Sequence, residues 1–239
     1  MTVAWVTGAA NGIGHAVAQR LTADGFSVVG IDLEPAPDCA ASRQWDLSDI
    51  ASWRDDATSL AQSHAPTAIV HCAARQVLGP AGSIAHADWA STFATNVVAL
   101  DVLVGAGRTS LLEQRGAVVA VSSVHARTTT SGIAAYATSK AALEGWVRAA
   151  ALDLAPHVRV NAVVPGAIDT RMLREGFARW TDEAAAREQA LVDATPLSTI
   201  GQPDDIAAAV AFFVGPDSSF CTGTSLVVDG GVSAKLSSE

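Results

Sequence analysis

The sequence predicts a doubly wound α/β fold, a parallel sheet with helices on both faces, from three observations. Strand-like and helix-like segments alternate from end to end. The strand-like runs are apolar on nearly every residue rather than on every second one, the pattern of strands covered on both faces. No linker, repeat or low-complexity block breaks the alternation. The runs are Val3–Val6, Ser27–Ile31, Ala68–His71, Ala117–Val121, Arg159–Val164 and Ser225–Val228. The Ala/Leu-rich stretches between them are Gly14–Asp24, Asp49–Ser63, Asp88–Leu112, Ala134–Leu154 and Asp204–Val214.

Length and composition allow one well-buried core: 239 residues, 49% hydrophobic and 16% charged, favour a single domain over 1–239 without staples. A net charge of −9 with no Lys/Arg-rich run argues against a nucleic-acid or anionic-membrane partner. Cys39, Cys72 and Cys221 are scattered, with neither a CxxC pair nor a metal-ligand spacing, so no metal is expected and a reducing cytoplasm is. The chain runs from Thr2 straight into a strand with no basic flank, and no signal peptide or apolar stretch long enough to span a bilayer is expected. The segment 169–203 lacks a strand, carries both charges together with Phe177 and Trp180, and ends in Pro196 and Pro203. It reads as one or two short helices forming a mobile lid over a substrate, with a plain surface insertion as the competing reading.

The first strand runs into Thr7-Gly8-Ala9-Ala10-Asn11-Gly12-Ile13-Gly14, and a helix follows. Glycines there let the backbone turn tightly and approach a pyrophosphate, which a helix N-terminus attracts. The spacing is GxxxGxG rather than the commoner GxGxxG, and a glycine turn also serves packing alone. The second strand ends at Gly30-Ile31-Asp32-Leu33. A carboxylate about 20 positions after the loop accepts hydrogen bonds from an adenosine ribose and repels a 2′-phosphate. Neither Asn11 nor Leu33 is basic, so the cofactor is NAD rather than NADP; Asp32 as a simple strand cap is the alternative. Asp46-Leu47 flanks an adenine or supplies an ordinary helix N-cap.

Tyr136 and Lys140 are four apart in a helical stretch and so share one face. Ser123 ends the Val118–Val121 strand region, thirteen residues before Tyr136, and Asn96 lies inside an earlier helix. Hydride transfer between an alcohol and a carbonyl requires a proton donor or acceptor at oxygen. Lowering a tyrosine by about 2 pKa units needs about 3 kcal/mol. A lysine ammonium at about 4 Å, with an effective dielectric of about 20, supplies roughly that. Ser123 would hold the substrate oxygen, and a buried Asn96 would bind water and backbone and relay protons from Lys140.

Taken together, Thr7-Gly8-x-x-x-Gly12-Ile13-Gly14, Asn96, Ser123, Tyr136-x-x-Ser139-Lys140, Asn161-x-x-x-Pro165-Gly166 and Asp229-Gly230-Gly231 resemble the short-chain dehydrogenase/reductase family along essentially the whole chain. The resemblance implies a seven-stranded Rossmann sheet, a catalytic tetrad of Asn96, Ser123, Tyr136 and Lys140, and nicotinamide chemistry. It implies that Lys140 also binds the nicotinamide ribose, that Pro165-Gly166-Ala167-Ile168 lines the nicotinamide, and that Ile168 and Thr170 anchor its carboxamide. It implies a homo-oligomer, a tetramer or dimer, paired through the Tyr-bearing helix and through the last helix and strand. One departure stands out: Cys72-Ala73-Ala74 replaces the family's Asn-Ala-Gly turn, losing an Asn that ties neighbouring strands.

His125, two residues after Ser123, points to a substrate hydroxyl or to solvent; Ser-Val-His resembles sugar-oxidising members of the family. Met172, Arg75, Gln76, Arg127, Arg171 and Trp180 are further candidates for the pocket rim, with Arg127 and Arg171 as carboxylate clamps. The short connection after Asp32 resembles dehydrogenases of small cyclic diols. The leading reading is oxidation of a secondary alcohol of a small polar molecule (sugar, cyclic diol or hydroxy acid) with NAD. The alternatives are reduction of a carrier-bound or steroid-like ketone and, in another class, a non-catalytic dinucleotide-binding sensor.

Overall fold

The computed structural model describes residues 2–179 and 182–235. Seven strands form one parallel sheet: β1 (Val3–Thr7), β2 (Ser27–Asp32), β3 (Ala41–Gln44), β4 (Ala68–His71), β5 (Ala117–Val121), β6 (Arg159–Pro165) and β7 (Ser225–Val228), in the order β3-β2-β1-β4-β5-β6-β7. Side chains alternate across a strand, so an apolar run feeds two cores at once. Trp5, Val29, Ile69, Val118 and Val160 share one register and one face. Ala4, Val6, Val28, Ala68, Val70, Val119 and Val121 line the other.

The first face is covered by α2 (Ile50–Ser63), α4 (Ala99–Glu113) and α5 (Ala134–Leu154), through Trp53, Leu60, Leu100, Leu103, Leu143 and Val147. The second is covered by α1 (Gly12–Ala23) and α8 (Pro203–Val214), through Val17, Leu21, Ile206, Val210 and Phe213. Pro203 opens α8 where its missing N–H is harmless, and Asp205 accepts from the Gln202 amide at 2.7 Å.

Two elements differ from the sequence reading of local pattern. β3 has no apolar run; Ala41-Ser42-Arg43-Gln44 is a short edge strand paired with β2. The single helix expected over 88–112 is α3 (His86–Phe93), a π-helical turn (Ala94–Val98) and α4. The run His86–Glu113 is by length and composition long enough to cross a membrane, contrary to expectation. In this fold its Leu100, Leu103 and Leu111 are buried in the first core. Between β6 and β7 lie α6 (Arg171–Ala178), α7 (Ala184–Ala194) and α8.

From β1 the strand order runs outward through β2 on one side and through β4 on the other. The crevice at the C-terminal ends of β1 and β4 is therefore the switch point, where doubly wound sheets bind ligands.

Candidate active site

At the mouth of that crevice, Gly8 has φ +69° and a Cβ there would come within 2.9 Å of the Ala73 nitrogen. A Cβ on Gly14 would run into the Gly8 carbonyl. The loop is glycine-rich because backbone packs on backbone. Asn11 occupies the N-cap position of α1 but its side chain does not cap it, leaving the first helical amides at Gly12 and Ile13 open to an anion. At the end of β2 the Asp32 carboxylate accepts from the Ala10 amide at 3.0 Å and the Glu34 amide at 3.2 Å. Leu33 is exposed. Glu34 accepts from Asn11 Nδ2 at 3.0 Å and Arg171 Nη1 at 3.2 Å, and these bonds hold its carboxyl below the usual range. Asp46 accepts from the amide and hydroxyl of Ser48, which lower its pKa, and the helix begins after Asp49 instead. The Leu47 side chain is in the core.

The turn after β4 is tied without the Asn. Thr7 Oγ1 accepts from the Cys72 and Ala73 amides at 3.1 and 3.0 Å and meets His71 Nδ1 at 2.9 Å, joining β1 to β4. Ala74 has an ordinary negative φ, so the replaced glycine is not needed there. Burial pushes the Cys72 thiol up to about 12, against an opposing pull from Lys140, and it fills space as a protonated group.

The reactive groups are dry. Tyr136, Lys140, Ser123 and Asn96 are 7%, 1%, 7% and 0% exposed. The Tyr136 phenol faces the Ser123 hydroxyl, which favours its ionised form. Lys140 Nζ donates to the Val121 carbonyl at 2.7 Å and lies 5.7 Å from the Tyr136 ring centre. The expected lowering of the phenol by the ammonium is not what this arrangement gives. Burial raises the Tyr136 pKa, opposed by Ser123, and burial lowers Lys140 to about 8. With Nζ turned to Val121, desolvation outweighs attraction between the two groups. Asn96 projects from the π-helical turn. Its Oδ1 accepts from the Arg75 amide at 2.7 Å; its Nδ2 donates to the Arg75 carbonyl at 3.0 Å and to Ser139 Oγ at 2.8 Å. Ser139 in turn donates to the Tyr136 carbonyl at 2.7 Å. Asn96 thus fastens the turn after β4 to the Tyr-bearing helix. His125 donates its amide to Ser123 Oγ at 3.2 Å and its ring stands edge-on to Tyr136, centres 6.2 Å apart. Burial lowers its pKa, and its Nδ1 has no partner among the described residues.

Past β6, a Cβ on Gly166 would come within 2.8 Å of Asp229, whose neighbour Val228 accepts the Gly166 amide at 2.9 Å. Asn161 ties β6 to the segment before β7 through the Cys221 carbonyl and the Thr224 amide. Ile168 is buried and bridges to Gly201. Thr170 caps α6 and brings its methyl within 3.2 Å of where a Gly12 Cβ would be, so this loop touches the glycine loop. Met172 is exposed on α6. A cavity of about 390 Å³ lies behind Ile168, lined also by Thr195, Leu197, Gly201 and Asp229; neither Ser123 nor Tyr136 borders it.

The rim arginines have carboxylate partners within the protein. Arg127 donates through Nε and Nη2 to the buried Glu144, which also accepts from Ser122, and so locks the Ser123 loop onto α5. Arg171 belongs to the cofactor end, on Glu34. Arg75 pairs with Asp88 at 3.4 Å, Gln76 is half-buried, and Trp180 lies outside the described residues. Sequence reasoning missed His71, Glu34 and Glu144, and gave Ser139 a place in the motif but no role. The one available signal was a histidine closing the apolar run Ala68–His71.

A family described as Enoyl-(Acyl carrier protein) reductase matches residues 8–233. The chain is 33% identical over 240 residues to 2,3-dihydro-2,3-dihydroxybenzoate dehydrogenase of Escherichia coli (strain K12), covering 95% of each. It is 46% identical over 147 residues to an uncharacterized oxidoreductase of Mycobacterium tuberculosis, spanning 61% of this chain and 54% of that one. The solved aldohexose dehydrogenase of Thermoplasma acidophilum superposes with a TM-score of 0.93 at 28% identity, covering 99% of this chain and 95% of that one. The chain belongs to the short-chain dehydrogenase/reductase family and is an oxidoreductase acting on CH–OH groups. Its residues fit a nicotinamide dinucleotide. The close-packed glycine loop, the uncapped start of α1 and the fixed Asp32 carboxylate stand at the C-terminal ends of β1 and β2, and buried Ser123 and Tyr136 lie past the C-terminal end of β5 in the same sheet.

Proposed function

We propose that the chain is an NAD-dependent dehydrogenase oxidising a secondary alcohol of a small polar molecule such as a sugar, cyclic diol or hydroxy acid. The convergence of the buried Ser123 hydroxyl, Tyr136 phenol and Lys140 ammonium, with Ser123 opposing the burial-raised pKa of the phenol, carries this reading. Ser123 holds the substrate oxygen, and Tyr136 takes the hydroxyl proton as hydride leaves the carbinol carbon. The nicotinamide, when bound, supplies the hydride acceptor. Lys140 keeps a positive charge near the phenol and would hold the nicotinamide ribose, and Ile168 and Thr170 would anchor its carboxamide. Run backwards, the same groups protonate a ketone.

NAD is favoured by two carboxylates at the adenosine end. Asp32 is fixed by two amides, and Glu34 engages Arg171, a cation at this end that would otherwise be available to a 2′-phosphate. Titration of the protein with NAD⁺ and NADP⁺ tests this; preference for NADP⁺ would overturn it. The buried His125 ring, with Nδ1 unpartnered among the described residues, and the relatives named for a cyclic diol and an aldohexose support a polyhydroxylated substrate. A panel of aldohexoses, cyclic diols and 2-hydroxy acids, followed by NADH absorbance, decides the class.

The segment 169–203 serves as the lid: it leaves and returns at one point, where the Asp169 amide donates to the Gly201 carbonyl at 2.8 Å. A homo-oligomer is supported by exposed Leu152, Phe212, Phe220 and Leu226 on or beside α5, α8 and β7, and light scattering measures it. Three unpaired cysteines support a cytoplasmic location.

A further inference from the structure

His71 is fully buried at the end of β4, and it joins Thr7, which opens the glycine loop, to the turn that carries Asn96. The Thr7 hydroxyl has one proton and two lone pairs. The Cys72 and Ala73 amides, both donors, fill the lone pairs, so the proton goes to His71 Nδ1. The ring is then neutral with its own proton on Nε2, and Nε2 donates to the Thr95 carbonyl at 3.0 Å. That carbonyl lies in the π-helical turn. The Ala99 amide, which would serve Thr95 in an α-helix, reaches back to Ala94 instead. The histidine proton takes the vacated place, and the extra residue accommodated by the turn swings Asn96 toward Arg75 and Ser139.

We propose that His71 is a positioning residue: it holds the π-helical turn open so that Asn96 can pin the Tyr136 helix, and it locks that turn to the start of the glycine loop. Through this one ring, the strand carrying the cofactor loop and the helix carrying the proton-transfer groups move as a unit. The kinetic consequence rests on the dehydrogenase reading; the tautomer does not.

The first measurement is therefore made on the unmodified full chain. With ¹⁵N-labelled histidine, NMR should show one imidazole fixed as the Nε2–H tautomer and not titrating between pH 8 and 5. A His71 ring protonated on Nδ1, or titrating in that window, overturns the proposal. The second is a double-mutant cycle read by kcat with NAD⁺ and the fastest alcohol of the panel above. His71→Phe should lower kcat about 10-fold or more, with KM for NAD⁺ shifted less. His71→Gln, which keeps an acceptor and a donor, should recover most of it. In an Asn96→Ala background, His71→Phe should change kcat less than twofold. Equal losses in both backgrounds, or a folded His71→Phe with unchanged kcat, overturn it. Should Tyr136→Phe prove fully active, the dehydrogenase reading fails while the tautomer result stands.

Discussion

The two ends of the crevice are built on opposite principles. The adenosine end is wet: Glu34 and Leu33 are exposed, and selectivity comes from charges that water screens. The reactive end is dry, with Asn96, Ser139 and Lys140 at 0%, 0% and 1% exposure, and every polar group there must have a partner or shift its pKa. Electrostatics at the wet end are therefore tunable in small steps. At the dry end a single lost group is felt through the whole network.

The largest expected effect falls at the dry end. Tyr136→Phe should lower kcat by about 10³-fold, the scale of lost general acid–base catalysis, while NAD⁺ binding changes little. A loss under tenfold, measured at saturating alcohol, would move the proton transfer to another group and erase the contrast.

Next in size is an acid effect from the same region. Burial lowers His71 to about 3 in the fold, from an ordinary value of 6.5. The folded-state pKa is depressed, so the contribution is intact above 6.5 and is lost as pH falls toward 3. The native chain should lose up to about 1.4 kcal/mol per pH unit in that window relative to His71→Gln. Urea unfolding at pH 7, 6 and 5 measures it; parallel curves for the two proteins would show that the ring is not held neutral in the fold. Arg127→Met comes third. It leaves the Glu144 carboxylate buried with only Ser122 and Ser225 as partners. Discounted for the half-exposed arginine, a loss of about 2 kcal/mol of stability is expected by the same unfolding assay.

The same contrast explains what could be read from the sequence. Tyr136 and Lys140 announce themselves because four residues is one helical turn, and the glycine loop because strand, turn and helix are contiguous. Both are local geometry. The partners of Arg127 and Arg171 have no signal in the sequence: Glu144 is 17 residues away on another element, and Glu34 is 137 residues from Arg171. No spacing rule reaches that far. β3 escaped for a related reason: Ala41-Ser42-Arg43-Gln44 has no strand pattern of its own and is ordered by its neighbour. Asn96 was named by resemblance, but the π-helical turn that aims it depends on His71, whose bonds to Thr7 span 64 residues. Sequence shows which groups carry the chemistry; what holds them is a tertiary property.

The smallest effect belongs to the wet end and separates its two carboxylates. Asp32 is bonded to main chain, so its charge is fixed in place. Glu34 is bonded to two side chains, Asn11 and Arg171, and acts by occupying a cation. Glu34→Gln keeps an acceptor for Asn11 but weakens the hold on Arg171, freeing a guanidinium beside the ribose site. The preference for NAD⁺ over NADP⁺ should narrow about three- to fivefold, as expected for an exposed pair, and the change should fade in high salt. Asp32→Ser should narrow it far more, with weaker salt dependence, because a fixed charge facing the ribose is removed rather than released. Titrations of both variants at low and high salt distinguish these outcomes. An Asp32→Ser effect no larger than that of Glu34→Gln would mean that discrimination is a property of the whole charged rim and not of one anchored carboxylate.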